Sequence, residues 1–311
     1  MHNWCMIDRR VRVLQALALH GTVTATAEAL NYTPSAISAQ LRALATAVGV
    51  PLLEPDGRGV RITAAGRVLL AGADGLLADW EELHTAMLRA SEAHGGALRM
   101  CGFSAAAATL LPWVTARLRI DHPNLSVTVV EATPEDCFRQ LHTGRADVAV
   151  VMVTADTPSL DDPRYEQESL MVDPLDLLLP VGHRLDHGGP LKFSDTATEN
   201  WIVDRPGTAY HGLFLNSCLA AGFMPTIAHH ASEWDTGAAL VSVGLGVALV
   251  PRLAHLPEGY DIRRVPLTGD PTPRRHVVAA VRRGTLTNPT VETALSALRV
   301  RADELCRTHT P

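Results

Sequence analysis

The chain has 311 residues, 47% hydrophobic and 19% charged, which is apolar material for about two domains and excludes collagen-like, disordered and disulfide-scaffold classes. Taken whole, the formal net charge of −6 argues against a nucleic-acid partner. Divided, it does not: residues 1–67 carry seven arginines against four acids (+3), and the other 244 residues carry 20 basic against 29 acidic (−9), so a basic head suited to phosphates sits on an acidic body.

The first helix is predicted over residues 8–20, where Val11, Leu14, Leu17 and Ala18 recur at helical spacing and Gly21 follows. Thr22 or Thr24 caps a second helix through Leu30, and Asn31-Tyr32 makes a turn. Thr33 caps a third helix with Pro34 at its first position, where a missing N–H costs nothing. Ile37, Leu41 and Leu44 form its core face, leaving Ser35, Ser38, Ala39, Gln40 and Arg42 on other faces. Two helices joined by a short turn, the second polar outward, make a helix-turn-helix pattern. Gly57 and Gly59 bracket a tight loop between short strands, a wing carrying Arg58 and Arg61. From Ala64 to about Ala93 a long helix is predicted, with Leu69, Leu70, Leu76, Leu77, Trp80, Leu83, Met87 and Leu88 as an apolar stripe that calls for a partner. Gly95-Gly96 marks a hinge.

The body alternates strand and helix. Strands are expected at 97–103, 125–131 and 147–153, with helices at 110–120 and 134–141 between them, a doubly wound lobe. A crossover follows at 170–172 and 175–180. The second lobe holds strands at 201–203, 226–231 and 247–250 and helices near 210–221 and 236–243. Segments 263–267 and 276–281 then lead to a C-terminal helix over 289–306.

These blocks resemble the LysR-type transcriptional regulators. The likeness rests on Gly21-Thr22-Val23-Thr24, Ala27-Glu28-Ala29-Leu30, Thr33 to Leu41, Gly49-Val50-Pro51-Leu52-Leu53-Glu54 and Ile62-Thr63-Ala64-Ala65-Gly66-Arg67, and continues through the body. The chain departs from the family pattern at Pro34, Ala39 and Glu54-Pro55. The resemblance implies an α+β multi-domain chain: a winged helix-turn-helix over residues 1–67, a linker and dimerisation helix over 64–94, and a two-lobed α/β effector domain over 95–311, like a periplasmic binding protein. Its first lobe spans about 95–170 and 267–311 and its second about 171–266.

On that layout the third helix enters a major groove. Ser35, Ser38 and Gln40 face base edges or phosphates, Thr33 and the helix-start N–H groups suit a phosphate, and Arg42 faces the backbone. Arg58 enters a minor groove, with Arg61 beside it on the wing. Thr24 and Pro34 join this DNA-facing set. A ligand belongs in the crevice at the C-terminal ends of the strands. Ser104, Thr133 and Thr208 match positions where the family binds its effector, with Ala105, Val153, Arg205 and Gly207 beside them; Arg205 suits an effector carboxylate.

Catalysis has little support: HExxH, GxSxG and the phosphate-binding GxxxxGK[ST] are missing, and Gly244-Leu245-Gly246 follows a helix, the reverse of a dinucleotide fingerprint. No cofactor and no metal are expected. Five scattered cysteines without a CxxC pair, no apolar signal segment in residues 1–12, and no stretch long enough to span a bilayer point to a reduced, cytoplasmic protein. The expected partners are double-stranded DNA with a pseudo-palindromic operator, a small-molecule effector, a second copy of the chain in a homodimer or homotetramer, and RNA polymerase. Two other readings stay open. One is a solute-binding or enzymatic α/β protein with an incidental helical head. The other is a regulator without effector, its cleft filled by Phe103 and the alanines of 105–108.

Overall fold

The computed structural model describes residue 8 and residues 10–57, 59–90 and 96–308. Cys5, Arg9, Arg58, Gly95 and the expected end of the long helix at 91–93 lie outside the described residues, as does the side chain of Leu88.

Three helices build the head: α1 (Arg10–His20), α2 (Val23–Leu30) and α3 (Pro34–Val48). Thr22, not Thr24, caps α2: its hydroxyl accepts the Ala25 N–H at 3.1 Å. Asn31 closes α2 in the left-handed region at φ 55°, which its short polar side chain tolerates. Thr33 caps α3 by accepting the Ala36 N–H at 3.2 Å, with Pro34 in the first turn. Leu14, Leu17, Leu30, Ile37, Leu41, Leu44 and Leu52 form one buried cluster that fixes the three helices. The wing is an antiparallel hairpin of β1 (Leu53–Asp56) and β2 (Gly59–Ile62).

Helix α4 (Ala64–Ala90) leaves the wing directly. A Cβ at Gly66 would lie 2.5 Å from the Leu52 carbonyl oxygen, so only glycine lets α4 approach the head this closely. The apolar stripe of α4 divides between partners. Leu69 and Leu70 pack on the head cluster, whereas Val68, Leu76, Leu83 and Met87 are exposed, at 76, 53, 49 and 46%.

The body opens with β3 (Gly96–Gly102), α5 (Ser104–Thr109) and α6 (Leu111–Asp121), followed by β4 (Leu125–Glu131), α7 (Pro134–His142) and β5 (Val148–Met152). Next come β6 (Tyr165–Pro180), β7 (Leu191–Lys192), β8 (Asn200–Val203), α8 (Ala209–Ala220), β9 (Thr226–His230), α9 (Trp234–Ser242), β10 (Ala248–Pro251), β11 (Ile262–Val265), β12 (Leu267–Thr268), β13 (Arg274–Arg282) and α10 (Pro289–Thr308). In the first lobe β4, β3 and β5 run parallel, with β13 antiparallel to β5 and to β6. All five residues of β5 are buried, as its unbroken apolar run requires, because both sheet faces are covered. One cluster packs α6 and α10 on the sheet through Leu111, Val114 and Leu298; another packs α7 through Cys137, Phe138 and Leu141.

Two features correct the sequence reading. The crossover pieces 170–172 and 175–180 are one strand, β6, whose first half pairs with β13 and whose second half pairs with β10 and β11. The second crossing follows residue 268, near the expected 267: Leu267 pairs with Leu191 and is buried in the second lobe's cluster with Leu177, Phe193 and Trp201. The alanine-rich segment after β3 is a separate short helix, α5.

Head, linker and first lobe meet in a charged junction. Arg12 of α1 donates to the carbonyl of His142 and pairs with Glu81 of α4 at 3.3 Å. Arg282 of β13 donates to the same Glu81 oxygen at 2.9 Å. Arg145 lies 5.4 Å over the Tyr32 ring. A Cβ at Gly284, at φ +84°, would sit 2.6 Å from the Ala78 carbonyl oxygen, so the loop after β13 abuts α4 directly. Burial and the neighbouring Arg12 push His142 down to about 4, which keeps its imidazole uncharged beside these guanidinium groups.

Candidate nucleic-acid interface and effector cleft

Helical geometry puts Ser35, Ser38, Ala39 and Arg42 on the face of α3 turned away from Ile37, Leu41 and Leu44. Ser35, Ala39 and Arg42 are exposed and Ser38 half-buried; Thr33 and Pro34 are exposed where the turn enters α3, and Thr24 is exposed in the first turn of α2. The Thr33 hydroxyl is 3.0 Å from that of Ser35, so cap and helix start form one polar corner. Gln40 departs from the expectation. It is half-buried, about 140° round the helix from Ser35, on the flank beside the core stripe. On the wing, Arg61 pairs with Glu54 across the hairpin at 3.0 Å, both side chains exposed. A groove of about 540 Å³ separates α3 from the wing, with Ser38 and Arg42 on its wall.

Between the lobes lies a cleft of about 180 Å³. Ser104 and Ala105 line it from the start of α5, and Phe103 and Met152 from the ends of the first-lobe strands. The second lobe contributes Asp204, Tyr210 and the segment from Ala231 to Trp234. Arg275, 3% exposed, makes the floor. Its Nε donates to Asp173 at 2.8 Å, and its guanidinium lies 4.7 Å from the Phe103 ring centre. Asp173, fully buried, also accepts the Leu253 N–H at 2.9 Å. Tyr210 packs edge-on to Trp234 at 5.2 Å and donates to the Leu249 carbonyl; burial pushes its phenol up, so it stays protonated.

The expected effector residues divide. Ser104 and Ala105 line the cleft, whereas Thr133, Val153, Arg205, Gly207 and Thr208 each stand within three residues of a lining position without lining it. Thr133 and Thr208 are helix caps, accepting the Asp136 and His211 N–H groups at 3.2 Å each. Arg205 donates to Ser232 at 3.0 Å, and Ser232 donates to Asp204 at 2.6 Å, so Arg205 reaches the cleft lining through Ser232. Arg275, Trp234 and Tyr210 were missed. The available signal was an arginine before the apolar run of β13 and an aspartate interrupting the apolar run of β6, a matched pair of charges in buried strands.

These roles separate by stability. Thr133→Ala and Thr208→Ala are expected to cost about 1 kcal/mol each through lost capping, and Ser104→Ala under about 0.5 kcal/mol, because Phe103 precedes α5 and makes no side-chain cap. Urea unfolding of the three variants measures this, and equal losses at all three positions would contradict the division.

Among the described residues no group of three His, Cys, Asp or Glu is placed to hold a metal ion, and no helix is long and apolar enough to cross a membrane.

Known proteins share this layout. Residues 9–67 match the family described as "Bacterial regulatory helix-turn-helix protein, lysR family", and residues 91–303 match "LysR substrate binding domain". A probable HTH-type transcriptional regulator, LrrA of Synechococcus elongatus, is 27% identical over 95% of this chain and 97% of its own. The Hca operon transcriptional activator HcaR of Escherichia coli is 30% identical over 78% of this chain and 81% of its own. The structure of a Corynebacterium glutamicum OxyR mutant superposes with a TM-score of 0.61 at 22% identity, covering 98% of this chain and 94% of that one, and full-length BenM with 0.57 at 22%, covering 97% of each; these show the fold. With a helix-turn-helix head and a two-lobed body both matched, the chain belongs to the LysR family of transcriptional regulators, with a DNA-binding head and an effector-binding domain.

Proposed function

We propose that two or more copies of this chain pair through α4 and present their heads to a pseudo-palindromic operator, and that an effector in the interlobe cleft biases the arrangement of the heads. The observation that carries the reading is the exposed polar face of α3 with its Thr33–Ser35 corner, opposite a fully packed core face. Helix N-termini of this kind accept phosphate, and the serine hydroxyls reach base edges. The pairing follows from Val68, Leu76, Leu83 and Met87, four exposed apolar side chains within about 100° of arc on one helix. Leu76→Asp with Leu83→Asp is expected to give monomers in sedimentation velocity; an unchanged oligomer would reject α4 as the contact.

Mobility shift on DNA flanking the chain's own gene tests the head. Ser38→Ala and Arg58→Ala are each expected to weaken specific binding about tenfold with the oligomer intact. Equal affinity in both variants would reject this placement. The cleft is read as a binding site: Arg275 on its floor is held by Asp173, and Asp204 accepts from Ser232.

Some relatives are named as hydrogen peroxide-inducible genes activators. Thiol oxidation is a poor second reading here. Cys101, Cys137 and Cys218 are buried; the Cys101 thiol and burial push Cys137 up, and burial pushes Cys218 up to about 12, while Cys306 is exposed but is also pushed up, by partial burial and Asp303. Reactive cysteines need the opposite shift.

A further inference from the structure

A second cavity, of about 630 Å³, opens where α5, α6 and α10 of the first lobe face the segment after β10 and strand β11 of the second. It shares no lining residue with the effector cleft. Ser104 and Ala105 at the start of α5 face the cleft, while Ala108 and Thr109 at its end line this cavity.

Among the described residues, guanidinium groups around it outnumber carboxylates by one. Asp173 is taken by Arg275, and Asp176 is held by Arg252 through two bonds of 3.1 and 2.6 Å. Arg264, half-buried in the cavity wall, donates to the main-chain carbonyls of Arg252 and Ala254 at 3.1 and 2.9 Å and pairs with no carboxylate among the described residues. Arg301 pairs with Glu304 at 3.2 Å, so among the described residues four guanidinium groups here share three carboxylates. Carbonyl dipoles accept two of the Arg264 N–H groups, while Asp176 and Asp173, each already bonded to another guanidinium, reach its charge only at a distance, and burial pushes its pKa down. Arg301 lies 5.6 Å over the Trp113 ring, so the lining also holds an indole whose position is fixed by a cation.

We propose that this cavity binds a small organic anion, with its carboxylate or phosphate head on Arg264 and its apolar body against the wall that holds Trp113. The site is linked to the effector cleft by one group. Leu253 in its wall donates to Asp173, and the other oxygen of Asp173 holds Arg275 on the cleft floor.

Titration calorimetry of the full chain with phenylacetate and phenyl phosphate tests the site, with benzyl alcohol as the uncharged body. At least one of the two anions is expected to bind, and benzyl alcohol to bind at least about tenfold more weakly. Arg264→Gln keeps donors for the two carbonyls and removes the charge; Ala108→Trp fills the exposed mouth. Each is expected to raise the Kd about tenfold or more, while Ser104→Phe, which obstructs the effector cleft, leaves it unchanged. Absence of binding by both anions at roughly 10 mM, the weak end of specific recognition, overturns the proposal. So does equal binding of benzyl alcohol, or binding lost in Ser104→Phe and kept in Ala108→Trp, which would place the anion in the effector cleft.

Discussion

Asp173→Ala is expected to destabilise the chain by about 3–5 kcal/mol, because it strands a buried guanidinium. Arg275 is 3% exposed and Asp173 fully buried, so neither charge can turn to water. The alanine also deprives the Leu253 N–H of its acceptor at 2.9 Å. Phe103 beneath the guanidinium recovers a little through its ring face, but a ring does not replace a carboxylate. Asp173→Asn keeps an acceptor for Leu253 and should lose less. Asp173→Leu with Arg275→Met, an apolar pair of similar volume, should lie well above Asp173→Ala and close to the parent, since replacing both members of a buried pair is often neutral. Urea unfolding of the four proteins measures the series. A loss below about 1 kcal/mol in Asp173→Ala would show that water reaches Arg275 and that the cleft floor is not dry.

The position of that pair explains which parts of the molecule were legible in the sequence. The head was, because its signals are local. Thr33 and Pro34 begin α3, Gly49 ends it, and Ile37, Leu41 and Leu44 repeat at helical spacing within a single element. Gln40 is the less legible position of the helix, because polar type points outward while the helical periodicity puts it on the flank of the core stripe. Strand β6 was divided because Asp173-Pro174 interrupts its apolar run. The strand continues there because Asp173 meets Arg275, 102 residues away, and Asp176 meets Arg252, 76 residues away. No local pattern names such partners. The cleft divided in the same way: Ser104 and Ala105 follow a strand end and were found, whereas Trp234 and Tyr210 come from helices of the other lobe and depend on how the lobes face each other. The stripe on α4 announced a need for partners, but a moment along one helix does not say that its first part packs on the head and its outer part stays open.

Glu81→Ala is expected to cost about 3 kcal/mol and, more tellingly, to release the head from the first lobe. One Glu81 oxygen accepts from Arg12 of α1 at 3.3 Å and from Arg282 of β13 at 2.9 Å, and the three side chains are only 12–15% exposed. Without the carboxylate, two guanidinium groups face each other at the junction of three domains. Arg282 retains Asp147 at 3.4 Å and the carbonyl of Leu141, and Arg12 retains the carbonyl of His142, so the loss falls at the lower end for a broken buried pair. The uncharged imidazole of His142 adds no further repulsion. Because Arg12 belongs to the head and Arg282 to a strand that crosses toward the effector cleft, the same carboxylate is a physical link between the two functional regions. Amide hydrogen exchange in α1 and α7 should rise together in Glu81→Ala, while α3, whose core contacts are untouched, stays protected. Operator affinity should then survive and its response to effector diminish, a coupling change rather than a binding change. A double-mutant cycle with Arg12→Met isolates the pair. Additive losses would mean that Glu81 and Arg12 stabilise their domains separately and that the head is not held through this contact.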